Sequence, residues 1–152
     1  YSEDQEWTPR LFSLDVKMGS NENPGYLYRE GRAGSIVTAR KPEQVEVLFT
    51  LYQEWFDRFG NDSSLDVRFR NALKNEAARR SVEELYKHIE RLDGEDLVTV
   101  EEIVDRHRDL FVPRESMAFR EKVLSFFVRV FGARSAAKIT RWLIQWRNKG
   151  KH

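Results

Sequence analysis

Histidines and aspartates are the side chains of this 152-residue chain whose chemistry could support catalysis or metal binding. His107 lies in the sequence VDRHRD, where a histidine could act as a general base, but no nucleophile is positioned beside it. We expect His107, and His88 in the sequence YKHIE, to be solvated surface residues. Asp105 and Asp109 are spaced as metal ligands can be, yet the arginines between them favour charge pairing along a helix. The sequence therefore predicts no catalytic residue, no metal, no cofactor and no enzymatic activity.

The lack of cysteine excludes several further classes of protein. A disulfide scaffold, a zinc site with cysteine ligands and thiol catalysis all require it. Its absence also favours an intracellular environment, cytoplasmic or nuclear. The longest apolar run covers only a few residues, so we expect no transmembrane segment. Aromatic residues make up 12% of the chain, which is typical of a folded domain rather than a disordered one.

Charge is unevenly distributed along the chain. Residues 113–152 contain ten Lys or Arg and two Asp or Glu, a balance of +8 in a chain whose net charge is only +1. A basic end of this kind predicts an acidic partner, either the acidic surface of a protein or the phosphates of a nucleic acid. The alternative is that acidic helices of the same fold neutralise the basic ones.

The first forty residues predict a small β element. Apolar side chains alternate with polar ones in LFSLDVKM (11–18), the period of a half-buried strand. Two further short strands, YLYRE (26–30) and SIVTA (35–39), come after turns rich in glycine and asparagine. We expect an antiparallel meander or hairpin over residues 11–40.

About six helices are expected after this element. Pro42 opens the first helix, which ends at Gly60, and the second covers residues 65–80. The capping boxes Ser81-x-x-Glu84 and Thr99-x-x-Glu102 predict the starts of the third and fourth. The most apolar helix runs over 117–131 up to Gly132, and Ser135 caps the last one.

The predicted fold class is thus mainly α with an N-terminal β element, and α+β is the alternative label. We expect a flexible segment 1–10, one compact domain 11–149 and a tail 150–152. Within that domain, residues 11–40 form the β element and residues 42–148 the helical part.

The last helix, in the sequence KITRWLIQWRNKGKH, carries the most distinctive candidate site. Helical periodicity puts Ile139, Trp142, Leu143 and Trp146 on one stripe, which favours the core. The opposite polar stripe contains Lys138, Arg141, Gln145 and Lys149. If the core cannot cover both tryptophans, Trp146 is the one we expect to be exposed. Because Trp and Arg dominate many interfaces, the predicted partner-binding residues are Lys138, Arg141, Trp142, Gln145, Trp146, Arg147 and Lys149.

Two stretches of sequence resemble known families. LYQEWFDRFG, RFRNALKN and VDRHRDL are similar to the inhibitory propeptide domain of papain-like proteases, in which an Arg and an Asn are seven residues apart on a long helix. Arg68 and Asn75 match that spacing, although Ser64 stands where the family has a glutamate. VFGARSAAKITRWL resembles part of the helical effector domains of oomycete plant pathogens, which bind host proteins.

Three functions are therefore predicted in order. The first is a non-enzymatic helical protein–protein interaction module, regulatory or of pathogen-effector type. The second is nucleic-acid binding through the basic region 113–152. The third, implied by the propeptide resemblance, is a protease inhibitor domain.

Overall fold

The computed structural model of this chain is built from α-helices. It describes residues 3–14, 17, 41–91 and 94–149, with the backbone alone for 3–6, 90–91 and 143–149. The five helices of this part are α1 Glu3–Ser13, α2 Pro42–Glu54, α3 Val67–Arg91, α4 Gly94–Arg106 and α5 Phe119–Lys149. Short helical turns at Trp55–Phe59 and Arg108–Leu110 come after α2 and α4. The prediction of a mainly helical protein is confirmed.

One cluster of buried apolar side chains joins α2 to α5. Helix α3 packs against both α2 and α5, and α4 completes the bundle by packing against the same two helices. Aromatic rings meet edge to face at the centre, with the Phe49 and Phe111 centroids 5.8 Å apart. The largest fully buried side chains come from α2, α3 and the turn after α4: Phe49, Tyr52, Leu85, Ile89, Leu110 and Phe111.

The first long helix agrees closely with its sequence signals. Helix α2 begins at Pro42, whose missing N–H costs nothing in the first turn of a helix. It continues through the π-helical turn Trp55–Phe59, which the Gly60 N–H closes by donating to the Trp55 carbonyl at 2.9 Å. The predicted start at Pro42 and end at Gly60 are confirmed.

The predicted strand over residues 11–18 is wrong where the structure describes it. Residues 11–13 belong to α1, and the Phe12 ring lies 6.5 Å from the Phe69 ring of α3. The alternation covers only four apolar positions, and a helix over the same residues exposes Leu11 while Phe12 and the buried Pro9 face the rest of the fold. The rest of the predicted β element, 18–40, lies outside the described residues. The proposed division into a segment 1–10, a domain 11–149 and a tail stays a prediction.

Both capping boxes are wrong as helix starts. Ser81 lies inside the continuous helix α3, fully buried, and its hydroxyl donates to the Ala77 carbonyl at 2.8 Å. Thr99 does the same toward the Glu95 carbonyl at 3.1 Å, because α4 already begins at Gly94. A hydroxyl can bond the carbonyl four residues earlier within a helix, so the S/T-x-x-E pattern is compatible with helix interiors as well.

Helix α5 is broken at Gly132. This residue has φ 81° and ψ 165°, a backbone conformation essentially restricted to glycine. It separates a first segment, 119–131, from a second segment, 133–149. The predicted stop at Gly132 is therefore confirmed as a break, but Ser135 does not cap the second segment. That segment resumes directly after the glycine, and the Ala133 N–H donates to the Asp105 carboxylate at 3.2 Å.

Candidate partner-binding surface of the last helix

The second segment of α5 packs with its smallest side chains inward. Ala133, Ala136, Ala137 and Thr140 are buried, whereas Ile139 is only half-buried. Small side chains let helix backbones approach closely, which leaves no room for an indole at the contact. The predicted inward stripe of Ile139 and Trp142 is therefore wrong. The buried side of this helix is rotated by about one residue, or roughly 100°.

Arg141 is half-buried rather than part of an outward polar stripe. Its Nε donates to the Ile89 carbonyl at 3.2 Å, close to the end of α3 at Arg91. The last four carbonyls of a helix lack partners within the helix, and a cation there also complements the helix dipole. Arg141 therefore stabilises the C-terminal end of α3.

Trp142 points outward, with 62% of its side chain exposed. Arg134, Lys138 and Trp142 are successive exposed residues four apart, and we call these three residues the outer stripe. The Arg134 Nε donates to the buried Glu101 carboxylate at 3.1 Å. Lys138 forms no ion pair with any residue that the structure describes. The outer stripe thus places the free cation Lys138 a helical turn from an exposed indole.

The remaining predicted site residues cannot be located in the same way. The backbone is helical to Lys149. The side chains of Gln145, Trp146, Arg147 and Lys149 lie outside the described residues. Of the predicted set, the structure therefore brings Lys138 and Trp142 together and separates Arg141 from them.

Basic side chains of the C-terminal region are largely engaged within the fold. Arg134 bonds Glu101 and Arg141 bonds the Ile89 carbonyl. The Arg114 guanidinium lies 5.7 Å from the ring centroid of Phe56, in the turn after α2, and the Arg120 guanidinium 5.7 Å from that of Tyr86 on α3. Four of the seven Lys or Arg residues between 113 and 142 thus contact the protein's own surface. A dense row of phosphate-binding cations is not formed in this part of the chain.

The segment 105–108, which we call the clasp, holds the break in α5 and the start of α2. Its Asp105 accepts the Ala133 N–H just after the break, and the Arg108 Nε donates to the Val128 carbonyl at 3.3 Å just before it. Arg106 forms an ion pair with Glu46 of α2. Backbone groups beside a helix break lack their usual helical partners, so the clasp supplies them from another element. The sequence predicts only charge pairing along one helix for these residues, and none of the contacts of the clasp with α5.

Neither described histidine is the solvated surface residue that the sequence predicts. The His88 ring is almost fully buried, with Nδ1 2.7 Å from the Glu84 carbonyl oxygen. The mostly buried His107 ring packs edge-on against Phe49, and its Nε2 lies 3.4 Å from the Glu46 carboxylate. Both histidines therefore serve packing between helices.

A further network of ion pairs lies within α3. The Glu76 carboxylate accepts hydrogen bonds from Arg79 at 2.8 Å and from Arg80 at 2.6 Å. The hydrogen bond from Arg79 is the main reason that the pKa of Glu76 lies below its usual value. The same pair raises the pKa of Arg79. The ion pair between Glu76 and Arg79 stabilises the charged form of both side chains, which indicates a structural role.

Two clefts open between the helices. One of about 350 Å³ lies between α3 and α5 beside Tyr86 and Arg120, and one of about 370 Å³ lies beside Trp55 and Phe69. Neither is lined by a histidine. No three His, Asp or Glu side chains in the described part of the chain come together to hold a metal ion. None of the described helices is both long and apolar enough to cross a membrane.

Comparisons with protein-family models, with curated proteins and with solved structures returned no match. The two resemblances noted in the sequence therefore stay predictions.

Proposed function

We propose that this chain is a non-enzymatic helical module that binds a protein partner with an acidic surface through the outer stripe. The observation that supports the proposal is the exposed indole of Trp142, 62% accessible, one turn from Lys138, which is exposed and pairs with no described acid. Tryptophan is among the residues that most often dominate interface energy, because it buries about 150–250 Å² of surface at little entropic cost. Lys138 adds a basic rim that favours an acidic partner surface.

The helix is well suited to present these residues. Its buried alanines fix the rotation of the second segment, and Arg141 ties that segment to the end of α3 through the Ile89 carbonyl. A rigid, pre-organised face loses less conformational entropy on binding than a mobile one. The outer stripe therefore offers a fixed anchor geometry.

Capture of partners on the immobilised chain, with and without nuclease treatment, tests the proposal. We expect a protein that is retained after nuclease treatment and lost with Trp142→Ala. Because Trp142 is exposed, its replacement should change the free energy of unfolding by no more than about 0.5 kcal/mol.

Trp7→Ala is the matched control, since Trp7 is 67% exposed on a different helix, α1. It should retain the partner. Loss of all binding on nuclease treatment would instead support nucleic-acid binding. Equal retention by wild type and Trp142→Ala would contradict the outer stripe as the site.

A further inference from the structure

Apolar side chains of the first segment of α5 recur with a heptad spacing on its outer side. Phe119, Val123, Phe126 and Val130 are separated by four, three and four residues. This is the d-a-d-a spacing of a coiled-coil seam, in which apolar residues recur on average every 3.5 residues. We call these four residues the seam.

The seam is exposed although it is apolar. Phe119 is 83% exposed, Phe126 52% and Val130 50%, while Val123 between them is half-buried. The opposite side of the same segment is fully packed, with Leu124, Ser125 and Val128 buried in the core. The seam is thus the outer face of a helix whose inner face packs in the core of the protein.

The seam is also held in place from both sides. Phe127 is packed on the core, and its ring meets the Phe126 ring edge to face at 6.0 Å. The clasp residue Arg108 bonds the Val128 carbonyl at the end of the segment. A surface fixed in this way needs little reordering when a partner docks.

Basic side chains border the seam on one side. Lys122 and Arg129 each lie three residues after a seam phenylalanine, which is the g position of each heptad. Neither forms an ion pair with a described residue. On the other side, Arg120 lies over the Tyr86 ring and Phe127 is packed on the core. The free charge that the structure describes beside the seam is therefore positive and confined to one edge.

We propose that the seam docks an amphipathic helix of a protein partner, with apolar residues at heptad spacing and Asp or Glu beside them. Its apolar residues pack between the seam side chains, and its carboxylates pair with Lys122 and Arg129. Charged residues that flank a coiled-coil seam set partner choice and orientation, so Lys122 and Arg129 favour an acidic helix. The break at Gly132 limits the contact to about 17 Å, or roughly two heptads.

This surface is distinct from the outer stripe, since it lies before Gly132 and Trp142 lies after it. The proposal therefore goes beyond the proposed function and can fail independently of it.

Binding of designed peptides to the full chain, monitored by fluorescence anisotropy, tests the proposal. One labelled peptide carries leucine at the a and d positions of its own heptads and glutamate at the flanking positions. It has about 28 residues, a length that supports a helix in water. A matched peptide carries lysine in place of each glutamate. We expect the glutamate peptide to bind with a Kd of about 1–100 µM and the lysine peptide at least tenfold more weakly.

Charge reversal at the edge gives the sharpest test. The double variant Lys122→Glu, Arg129→Glu should exchange the preference, so that the lysine peptide binds better. Phe126→Ser should weaken binding of the glutamate peptide at least tenfold, with the helical content and the melting temperature as controls of folding. Val47→Ser, an exposed apolar position of α2, is the matched control and should bind as wild type does.

Several outcomes would overturn the proposal. The first is that the glutamate peptide does not bind at concentrations up to about 100 µM. The second is that the two peptides bind equally well. The third is that the double variant still prefers the glutamate peptide. Loss of peptide binding with Trp142→Ala alone would place the peptide on the outer stripe instead. A concentration-dependent dimer in sedimentation that Phe126→Ser abolishes would assign the seam to a second copy of this chain.

Discussion

Arg141 and Lys138 show how the structure divides a single predicted site into residues with different roles. Helical spacing predicts both on one polar stripe facing a partner. The structure leaves Lys138 exposed and uses Arg141 to cap the Ile89 carbonyl at the end of α3. The two cations, three residues apart, thus differ in their surroundings, since Lys138 is exposed and Arg141 contacts the end of α3.

Substitution of each by glutamine should separate these roles. Arg141→Gln should lower the free energy of unfolding by about 1 kcal/mol, because a partly buried carbonyl loses a charged donor near a helix end. Lys138→Gln, the matched control, should change it by less than about 0.5 kcal/mol. Urea denaturation monitored by circular dichroism measures both. If both variants changed the free energy of unfolding by the same small amount, the contact of Arg141 with the Ile89 carbonyl would contribute nothing to stability.

The periodicity error at Trp142 has a physical origin. Hydropathy ranks Trp142 and Ile139 above the alanines, so the pattern favoured them as the core side. Close packing depends on shape as well, and Ala133, Ala136 and Ala137 fit where a larger side chain would not. The sequence of one helix does not tell how closely the neighbouring helices approach it. That distance determines which side of the second segment of α5 faces the core.

At the scale of elements, the break in α5 depends on one residue and on the clasp. A Cβ at Gly132 would meet the Asp105 carboxylate at 3.7 Å and Arg108 at 3.9 Å, which are ordinary contact distances. Any cost of a side chain there therefore comes from the backbone conformation rather than from crowding.

Gly132→Ala should lower the free energy of unfolding by about 2–3 kcal/mol, because its φ and ψ are essentially restricted to glycine. Gly94→Ala is the matched control, since Gly94 also has a positive φ, 58°, and an added Cβ there would meet no atom of a described residue within 4 Å. It should cost about 1 kcal/mol. Thermal unfolding of both variants makes the comparison. A smaller effect at Gly132 than at Gly94 would contradict the break as described.

Helix α3 should show a pH dependence that comes from Glu76. Its folded pKa lies below its unfolded value, so its contribution to stability is present above the unfolded pKa and is lost as the pH falls through the folded one. Glu76→Gln should lower stability at pH 7 by under about 1 kcal/mol, since the ion pairs are partly exposed. The difference from wild type should shrink below about pH 4.

Denaturation of wild type and Glu76→Gln across this pH range provides the measurement. Glu102→Gln is the matched control, because Glu102 is exposed and forms no ion pair with a described residue. A difference for Glu76→Gln that grows as the pH falls would contradict the direction of the pKa shift.

For the whole molecule, helical periodicity and glycine punctuation predicted the class of fold and several boundaries. Helix limits occur at Pro42, Gly60 and Gly132. Proline and glycine change the backbone angles allowed at their own position, so their effect can be predicted without knowing the rest of the fold. The division of α3 at Ser81 failed, because the same four-residue motif occurs at helix starts and in helix interiors. The clasp could not be predicted, since its partners lie 20–60 residues away along the chain.

The candidate partner surface stays a prediction that rests on residue types. Residue types pointed to Trp142 and its basic neighbours as a partner surface, and two of them, Lys138 and Trp142, share the exposed face. The seam was missed although its heptad spacing is present in the sequence. The segment 119–131 is apolar over most of its circumference, which predicts full burial and conceals an exposed side.

The affinity of the chain for its captured protein partner, measured by calorimetry at two salt concentrations, tests the central claim most directly. We expect Trp142→Ala to weaken binding at least tenfold and Trp7→Ala to leave it unchanged. A rise in salt from about 50 to 200 mM should reduce affinity by less than about tenfold, since Lys138 is the free cation that the structure describes on the outer stripe, whereas phosphate binding by 6–10 cations would lose about a thousandfold or more. Binding that falls this steeply with salt and ignores Trp142→Ala would contradict the account.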